Sequence, residues 1–255
     1  MKLVLFVFCL VILLLFGYKF IQQKRLIISP STFQENISPT PHQKESLTSI
    51  LVKHEETSYR ILYTKLAGQT ITIIPNYQTK KAAATIVEEN TCKAASSGGF
   101  YKEDNKPLGL LKINNELFNP ESNDTRLLTG FFFIGKNNTV GIGKTYPDDA
   151  PTVLQSGPYF TSANRLQLRQ DGLARRIMII EDTSGQFYLA AITMQENTHS
   201  GPLLANLPPI LFSIKEPFRV TSILNLDGGS ASFFMDESGY TLSELTYVGS
   251  LICIR

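Results

Sequence analysis

The chain has 255 residues, enough for one sizeable core or two small ones, and its 43% hydrophobic and 18% charged content is that of an ordinary globular protein. Sixteen Phe and ten Tyr with no Trp favour a β-rich core over a helical bundle. A net charge of +2 with no long basic stripe, Lys80-Lys81 and Arg175-Arg176 being isolated pairs, argues against a nucleic-acid partner.

The N-terminus departs from that ordinary pattern. Leu3 to Tyr18 is an uncharged apolar run, long for a signal-peptide core and slightly short for a full membrane span. Phe20 and Ile21 extend it when Lys19 snorkels to the interface. No small-x-small cleavage site follows, and Phe8 before Cys9 does not suit lipoprotein processing. Residues 1–23 therefore read as an uncleaved signal-anchor, with a cleaved signal peptide as the alternative. That predicts a membrane-anchored protein with its domain outside the cytoplasm, in the periplasm or at the cell surface, or a secreted one after cleavage. Residues 24–56 read as a tether, because Pro30, Pro39, Pro41 and many Ser, Thr and Gln interrupt any period. Within it, Leu47, Ile50, Leu51 and His54 fall at i, i+3, i+4, i+7, which predicts a short helix.

The folded domain, residues 57–255, opens with apolar alternation over Tyr59 to Tyr63 and Thr70 to Ile74 around Ala67-Gly68-Gln69, a hairpin pattern. Lys80 to Glu89 predicts one amphipathic helix. Cys92 to Tyr101 reads as a strand running into a Gly98-Gly99 loop. Pro107 to Ile113 resumes the sheet, and Asn114-Asn115-Glu116 reverses it. Further strands are predicted at Gly130 to Ile134, Thr139 to Ile142 and Val153 to Gln155, the last ended by Ser156-Gly157-Pro158. Arg175 to Ile180 and Phe187 to Ile192 flank Asp182-Thr183-Ser184-Gly185, a hairpin signature. A helix is expected to start after Pro208-Pro209. Ile223 to Leu226 then leads into Asp227-Gly228-Gly229-Ser230, and Phe233 to Met235 resumes the strand pattern. A turn at Asp236 to Gly239 and a last strand near Tyr247 to Ile254 close the chain. The whole predicts an α+β fold: a single mixed, mainly antiparallel, β-rich domain with a few helices.

Cys9 lies in the apolar run, which leaves Cys92 and Cys253 for the domain. They can pair in an oxidising compartment; two buried free thiols is the reading preferred from sequence alone. The three histidines are scattered, and the cysteine spacing matches no zinc site.

Several of these pieces, in this order, resemble the phosphodiester glycosidase family, whose bacterial members are often exopolysaccharide-related. Asn225-Leu226-Asp227-Gly228-Gly229-Ser230-Ala231-Ser232 is similar to its N-L-D-G-G-G-S-S loop. Ser97-Gly98-Gly99-Phe100-Tyr101 with Pro107-Leu108-Gly109 looks like its N-G-G-F-F…P-x-G segment. Gln155-Ser156-Gly157-Pro158 looks like its Q-x-G-P turn, and Arg176 stands where it has the Arg of an R-T-A-x-G strand. Val248 to Ile254 resembles its closing strand. The chain departs at Ser97 (usually Asn), at Ala231, after Arg176, and at Thr193-Met194-Gln195, where family members often carry an Asp.

The resemblance implies a hydrolase cleaving sugar-phosphodiester linkages of a glycan or exopolysaccharide, with a non-catalytic glycan-binding protein on the same scaffold as the alternative. Cleavage at an anomeric carbon needs a carboxylate as nucleophile or base and a place for the departing phosphate. Asp227 is the candidate carboxylate; an acid capping its own turn is the plain structural reading. Arg176 is the candidate phosphate donor, because a guanidinium offers planar donors to phosphate oxygens; a strand-edge arginine is its plain reading. Gly98, Gly99, Gly228 and Gly229 would form backbone cradles if their loops meet. Phe100, Tyr101, Gln155, Gly157, Asn225, Ser230 and Ser232 complete the implied substrate-binding set. Glu181, Asp182 and Glu196 read as solvated acids rather than a second catalytic one. A divalent cation is left open, since Asp227 and Asn225 are suitable oxygen ligands but no dense acidic loop accompanies them.

Overall fold

A computed structural model describes residues 48–66, 68–123, 126–168 and 170–255. The predicted signal-anchor and residues 24–47 of the tether lie outside these. Among the described residues no helix is long and apolar enough to cross a membrane.

The strands are, in chain order, β1 (Ser49–His54), β2 (Thr57–Lys65), β3 (Ile71–Pro75), β4 (Ala94–Ser97), β5 (Leu111–Ile113), β6 (Glu116–Asn119), β7 (Gly130–Ile134) and β8 (Val140–Gly143). They continue with β9 (Thr152–Ser156), β10 (Tyr159–Phe160), β11 (Arg176–Asp182), β12 (Phe187–Met194), β13 (Val220–Asn225), β14 (Phe234–Met235), β15 (Thr241–Leu242) and β16 (Ser250–Ile254). Among the described residues two short α-helices, α1 (Ala83–Glu89) and α2 (Leu207–Phe212), complete an α+β fold. The strands form a six-stranded sheet, β1-β2-β12-β11-β13-β10, and two five-stranded sheets, β15-β14-β4-β16-β3 and β6-β5-β9-β7-β8. Every described pair is antiparallel.

The six-stranded sheet is covered on both faces, which explains the unbroken apolar run Ile177 to Ile180 in β11. Ile177 and Ile179, with Leu189, Ala191 and Leu224, enter a central core shared with Phe132 and Leu154 of one five-stranded sheet and Phe234, Ile252 and Ile254 of the other. Met178 and Ile180 pack on the opposite face against Leu207, Ile210 and Leu211 of α2. Helix α1 covers the outer face of the β4–β16 sheet through Ala83 and Ile86, beside Phe233, Leu251 and the two cysteines.

Three local expectations change. Ser49–His54 is the edge strand β1 rather than a helix, and it lies inside the stretch read as a tether. It pairs with β2 from Ser49↔Leu62 to His54↔Thr57. Ile50 and Val52 pack on the core while Leu51 stays exposed, so the period is two; three apolar residues and a histidine were too few to separate it from a helical period. Next, β2 and β3 do not form a hairpin. β2 pairs with β1 and β12, whereas β3 pairs with β16 in a different sheet. Finally, Cys92 and Cys253 are joined by a disulfide rather than left as thiols. Their burial had suggested inert thiols, but the antiparallel pairing Cys253↔Ala95 brings β16 to the segment that follows α1. As a smaller adjustment, α2 begins at Leu207 and takes both prolines into its first turn.

Candidate functional site

Strand β13 ends at Asn225 and delivers Leu226 into the central core, which turns Asp227 out of the sheet at the strand terminus. The strand end is fixed from both sides. Asn225 donates its Nδ2 to the carbonyls of Gly157 (2.9 Å) and Leu226 (3.0 Å), and Ser156 Oγ donates to the Asn225 carbonyl at 2.8 Å. Through these bonds the Ser156-Gly157-Pro158 segment braces the Asp227 strand.

The two Gly-Gly loops meet. The Asp227 amide donates to the Gly98 carbonyl at 2.9 Å, and Ser97 Oγ donates to the Asp227 carbonyl at 3.0 Å. Gly98 in turn donates its amide to the Ser250 carbonyl of β16. Gly229 adopts a left-handed backbone, φ +64°, which glycine enters without strain. At Gly228 the requirement is space: a Cβ there would sit 2.7 Å from the Arg175 carbonyl. The amides of Gly98, Asp227 and Gly229 are therefore spent on protein carbonyls, and the loops form a rigid floor more than an open amide nest.

Asp227 sits partly accessible in this floor, yet packed closely enough that desolvation pushes its pKa up to about 7, against a modest pull from the Gly228 amide. Its charge is felt by two tyrosines. Burial, with Asp227 as an added cause, raises the pKa of both Tyr77 and Tyr101. Gly249 lets these rings close in, since a Cβ there would lie 2.7 Å from an atom of each. Asn76 holds the segment in place by donating to the carbonyls of Lys81 (2.9 Å) and Val248 (2.8 Å). Around this point several buried polar atoms lack a partner: Tyr77 OH, Ser250 Oγ, Ser232 Oγ and Asn225 Oδ1. Tyr77 and Ser250 interact electrostatically, but their hydroxyls do not reach hydrogen-bond geometry. Unpaired hydroxyls beside a carboxyl are available to water or ligand oxygens.

The remaining residues named from the sequence divide clearly. Ser230 is exposed in the loop, its carbonyl accepting from the amides of Leu245 (2.7 Å) and Thr246 (3.0 Å). Phe100 is partly buried and its carbonyl pairs with the Leu108 amide. Gln155 has its carboxamide saturated by Leu110, Ser122 and Leu128 backbone groups, which makes it a brace of the neighbouring loop. Arg176 donates to the carbonyls of Pro202 (3.2 Å) and Gly172 (2.7 Å) and to Asp171 at 3.4 Å. It ties the 171–172 segment to the sheet. Its neighbour Arg175, which the sequence marked only as half of a basic pair, is the arginine that reaches the Asp227 loop. Arg175 is 1% exposed; its guanidinium donates to the carbonyls of Gly229 (3.4 Å) and Ser243 (2.7 Å), and its own carbonyl receives the Gly229 amide. Alternation along an extended segment sends adjacent residues to opposite faces, so one arginine of the pair had to turn away. Tyr77, Ser250 and Gly249 were likewise missed as site residues; the Gly-Ser pair preceding a strand was the available signal.

Asp182 is engaged by Ser184, Gln186 and Tyr188, and Glu181 by Ser222, so both serve the sheet rather than Asp227. Among the described residues no three His, Cys, Asp or Glu side chains gather as a metal-binding group.

No protein-family model matches this chain, and no curated protein matches its sequence. Solved structures do. The catalytic domain of zebrafish N-acetylglucosamine-1-phosphodiester alpha-N-acetylglucosaminidase, auto-inhibited by its pro-peptide, superposes with a TM-score of 0.58 at 14% identity, over 84% of this chain and 86% of that one. The likeness is one of fold. A hypothetical protein from Synechocystis gives 0.56 at 14% identity over 81% of this chain and 61% of its own. A Burkholderia pseudomallei protein described as exported gives 0.51 at 10% identity, over 78% and 74% of the two chains.

Proposed function

We propose that the chain is an exported, membrane-tethered hydrolase that cleaves sugar-phosphodiester linkages of a glycan or exopolysaccharide, with Asp227 as its working carboxylate. The observation that carries this reading is the placement of Asp227: a partly accessible carboxyl where two Gly-Gly loops meet, its pKa pushed up to about 7. The fold similarity to a phosphodiester glycosidase supports the substrate class. In such a hydrolysis the oxygen of water bonds to the anomeric carbon and the bond from that carbon to the phosphate oxygen breaks. The phosphate departs as an anion and needs no proton, so the acid-base task falls on the water. Ionised Asp227 takes the water's proton, and a base works best with a pKa near the operating pH.

Gly98, Gly99, Gly228 and Gly229 form the floor, Phe100 and Tyr101 part of the wall, and Ser230, Tyr77 and Ser250 offer hydroxyl donors. A phosphate role for Arg176 requires its release from Asp171, Gly172 and Pro202. The buried disulfide supports an oxidising compartment, in keeping with export and anchoring through residues 1–23.

The alternative, glycan binding without turnover, is favoured by one observation of its own: Tyr77 and Tyr101 lie within electrostatic reach of Asp227, while Glu181 and Asp182 are engaged elsewhere. Sugar release from 1-phosphodiester substrates separates the two. The full-length protein is expected to release sugar with kcat/KM rising as pH passes through about 7, and Asp227→Asn to lower it by about 10²-fold or more. Equal, background-level release from both proteins would sink hydrolysis and leave binding.

A further inference from the structure

Tyr77, which feels the Asp227 charge, also borders a cavity of about 340 Å³ lined by Gln78, Thr79, Asn105, Lys106 and Phe118. We propose that this cavity is an accessory subsite for a flanking sugar, joined to the Asp227 loop along a tyrosine wall, so that an oligo- or polysaccharide phosphodiester is bound in preference to an isolated sugar diester. The inference rests on the function proposed above and adds a second subsite to it.

Continuity is the first argument. The rings of Tyr77 and Tyr101 lie 6.5 Å apart, and those of Tyr101 and Tyr247 lie 5.0 Å apart. Tyr101 donates its hydroxyl to the Tyr247 carbonyl at 2.9 Å, and the Tyr247 hydroxyl bonds Asn105 Oδ1 in the cavity wall. The wall therefore runs without a break from the residues that sense Asp227 to the cavity.

Chemistry is the second. A pyranose presents C–H faces to aromatic rings and hydroxyls to amide and hydroxyl groups. The cavity offers both, from Phe118, 42% exposed on the edge strand β6, and from Gln78, Thr79 and Asn105. Its volume falls in the range of about 300–1,000 Å³ usual for small-ligand sites. Lys80 stands 5.2 Å from the Tyr247 ring centroid, which places a cation along the path of a phosphate-bearing chain. Tyr77 itself is 5% exposed with an unpartnered hydroxyl, a buried polar group left for a ligand or water oxygen at the junction.

The test is calorimetric titration of full-length Asp227→Asn, which binds without turnover, with two probes. One is N-acetylglucosamine 1-phosphate esterified to methanol; the other is the same sugar phosphate esterified to the 6-hydroxyl of maltotriose. The trisaccharide diester is expected to bind about tenfold tighter or better. Adding Phe118→Ala, or separately Asn105→Ala, should bring its affinity down to that of the methyl diester at an unchanged melting temperature. Equal affinity of the two probes, or an advantage that survives both substitutions, overturns the subsite alone. Binding of neither probe overturns the subsite together with the sugar-phosphodiester reading beneath it.

Discussion

A carboxyl buried in a glycine floor makes the folded state sensitive to pH. Asp227 titrates at 3.8 when free of the fold and at about 7 within it, so between these values the folded protein holds a proton that the unfolded chain has lost. The stabilisation from this group is complete below about pH 4 and is lost as pH rises through about 7. We therefore expect Asp227→Asn to match the parent in denaturant stability near pH 4. It should exceed the parent above pH 7 by up to about 4 kcal/mol, a ceiling that solvent access reduces. A difference that stays constant from pH 4 to 8 would contradict a raised pKa. The identity of this acid was legible in the sequence, since Asp-Gly-Gly-Ser after an alternating strand already marked it. Its protonation was not, because the burial that raises its pKa depends on packing against segments distant in the chain, the Ser97-Gly98 loop among them.

Between elements, Arg175 joins the Asp227 loop to the segment before helix-capping Glu244, whose carboxylate receives the Ala83 amide at 2.7 Å. Burial lowers the pKa of this guanidinium and Glu244 opposes the shift, as for a cation embedded among carbonyls with one acid in range. Replacing it with Met removes the charged donors, leaving the Ser243 carbonyl without this partner and the Gly229 carbonyl with the Ser232 amide. The expected cost is about 2–3 kcal/mol in chemical unfolding. A loss of sugar release should accompany it, because the loop carrying Asp227 loses its anchor. An Arg175→Met protein as stable as the parent would show that the loop stands without it. The family resemblance marked Arg176, as a phosphate ligand, and left Arg175 without a role. Which member of an adjacent pair faces the loop depends on the phase of β11, and that phase is fixed by the pairing of β11 with β12 and β13.

For the whole molecule, the disulfide closes a separation of 161 residues, tying the last strand to the segment after α1. Constraining so long a loop in the unfolded chain is worth about 2–5 kcal/mol. Cys92→Ala with Cys253→Ala, or reduction, should lower the melting temperature accordingly. An unchanged melting temperature on reduction would argue that the bond carries no net stability. The same closure bears on the site, since β16 supplies Ser250 beside Gly98 and follows Gly249 between the tyrosines.

Local signals were enough for much of this fold. β7 begins and ends where glycine and apolar spacing place it, at Gly130–Ile134, and the β11–β12 hairpin follows from its Asp-Thr-Ser-Gly turn. Such features rest on neighbours in sequence, where turn chemistry and period are sufficient. The predicted β2–β3 hairpin failed because both strands found better partners far along the chain, β12 at one end and β16 at the other. Sequence alone determined an α+β, β-rich domain and the acid and glycines of one loop. Tertiary structure alone decided that the two glycine loops touch, that Arg175 anchors the Asp227 loop, and that Ser250 meets Gly98 while Gly249 meets Tyr77 and Tyr101. Those facts are set by strand pairings across all three sheets, and such long-range contacts leave no period in the residues that make them.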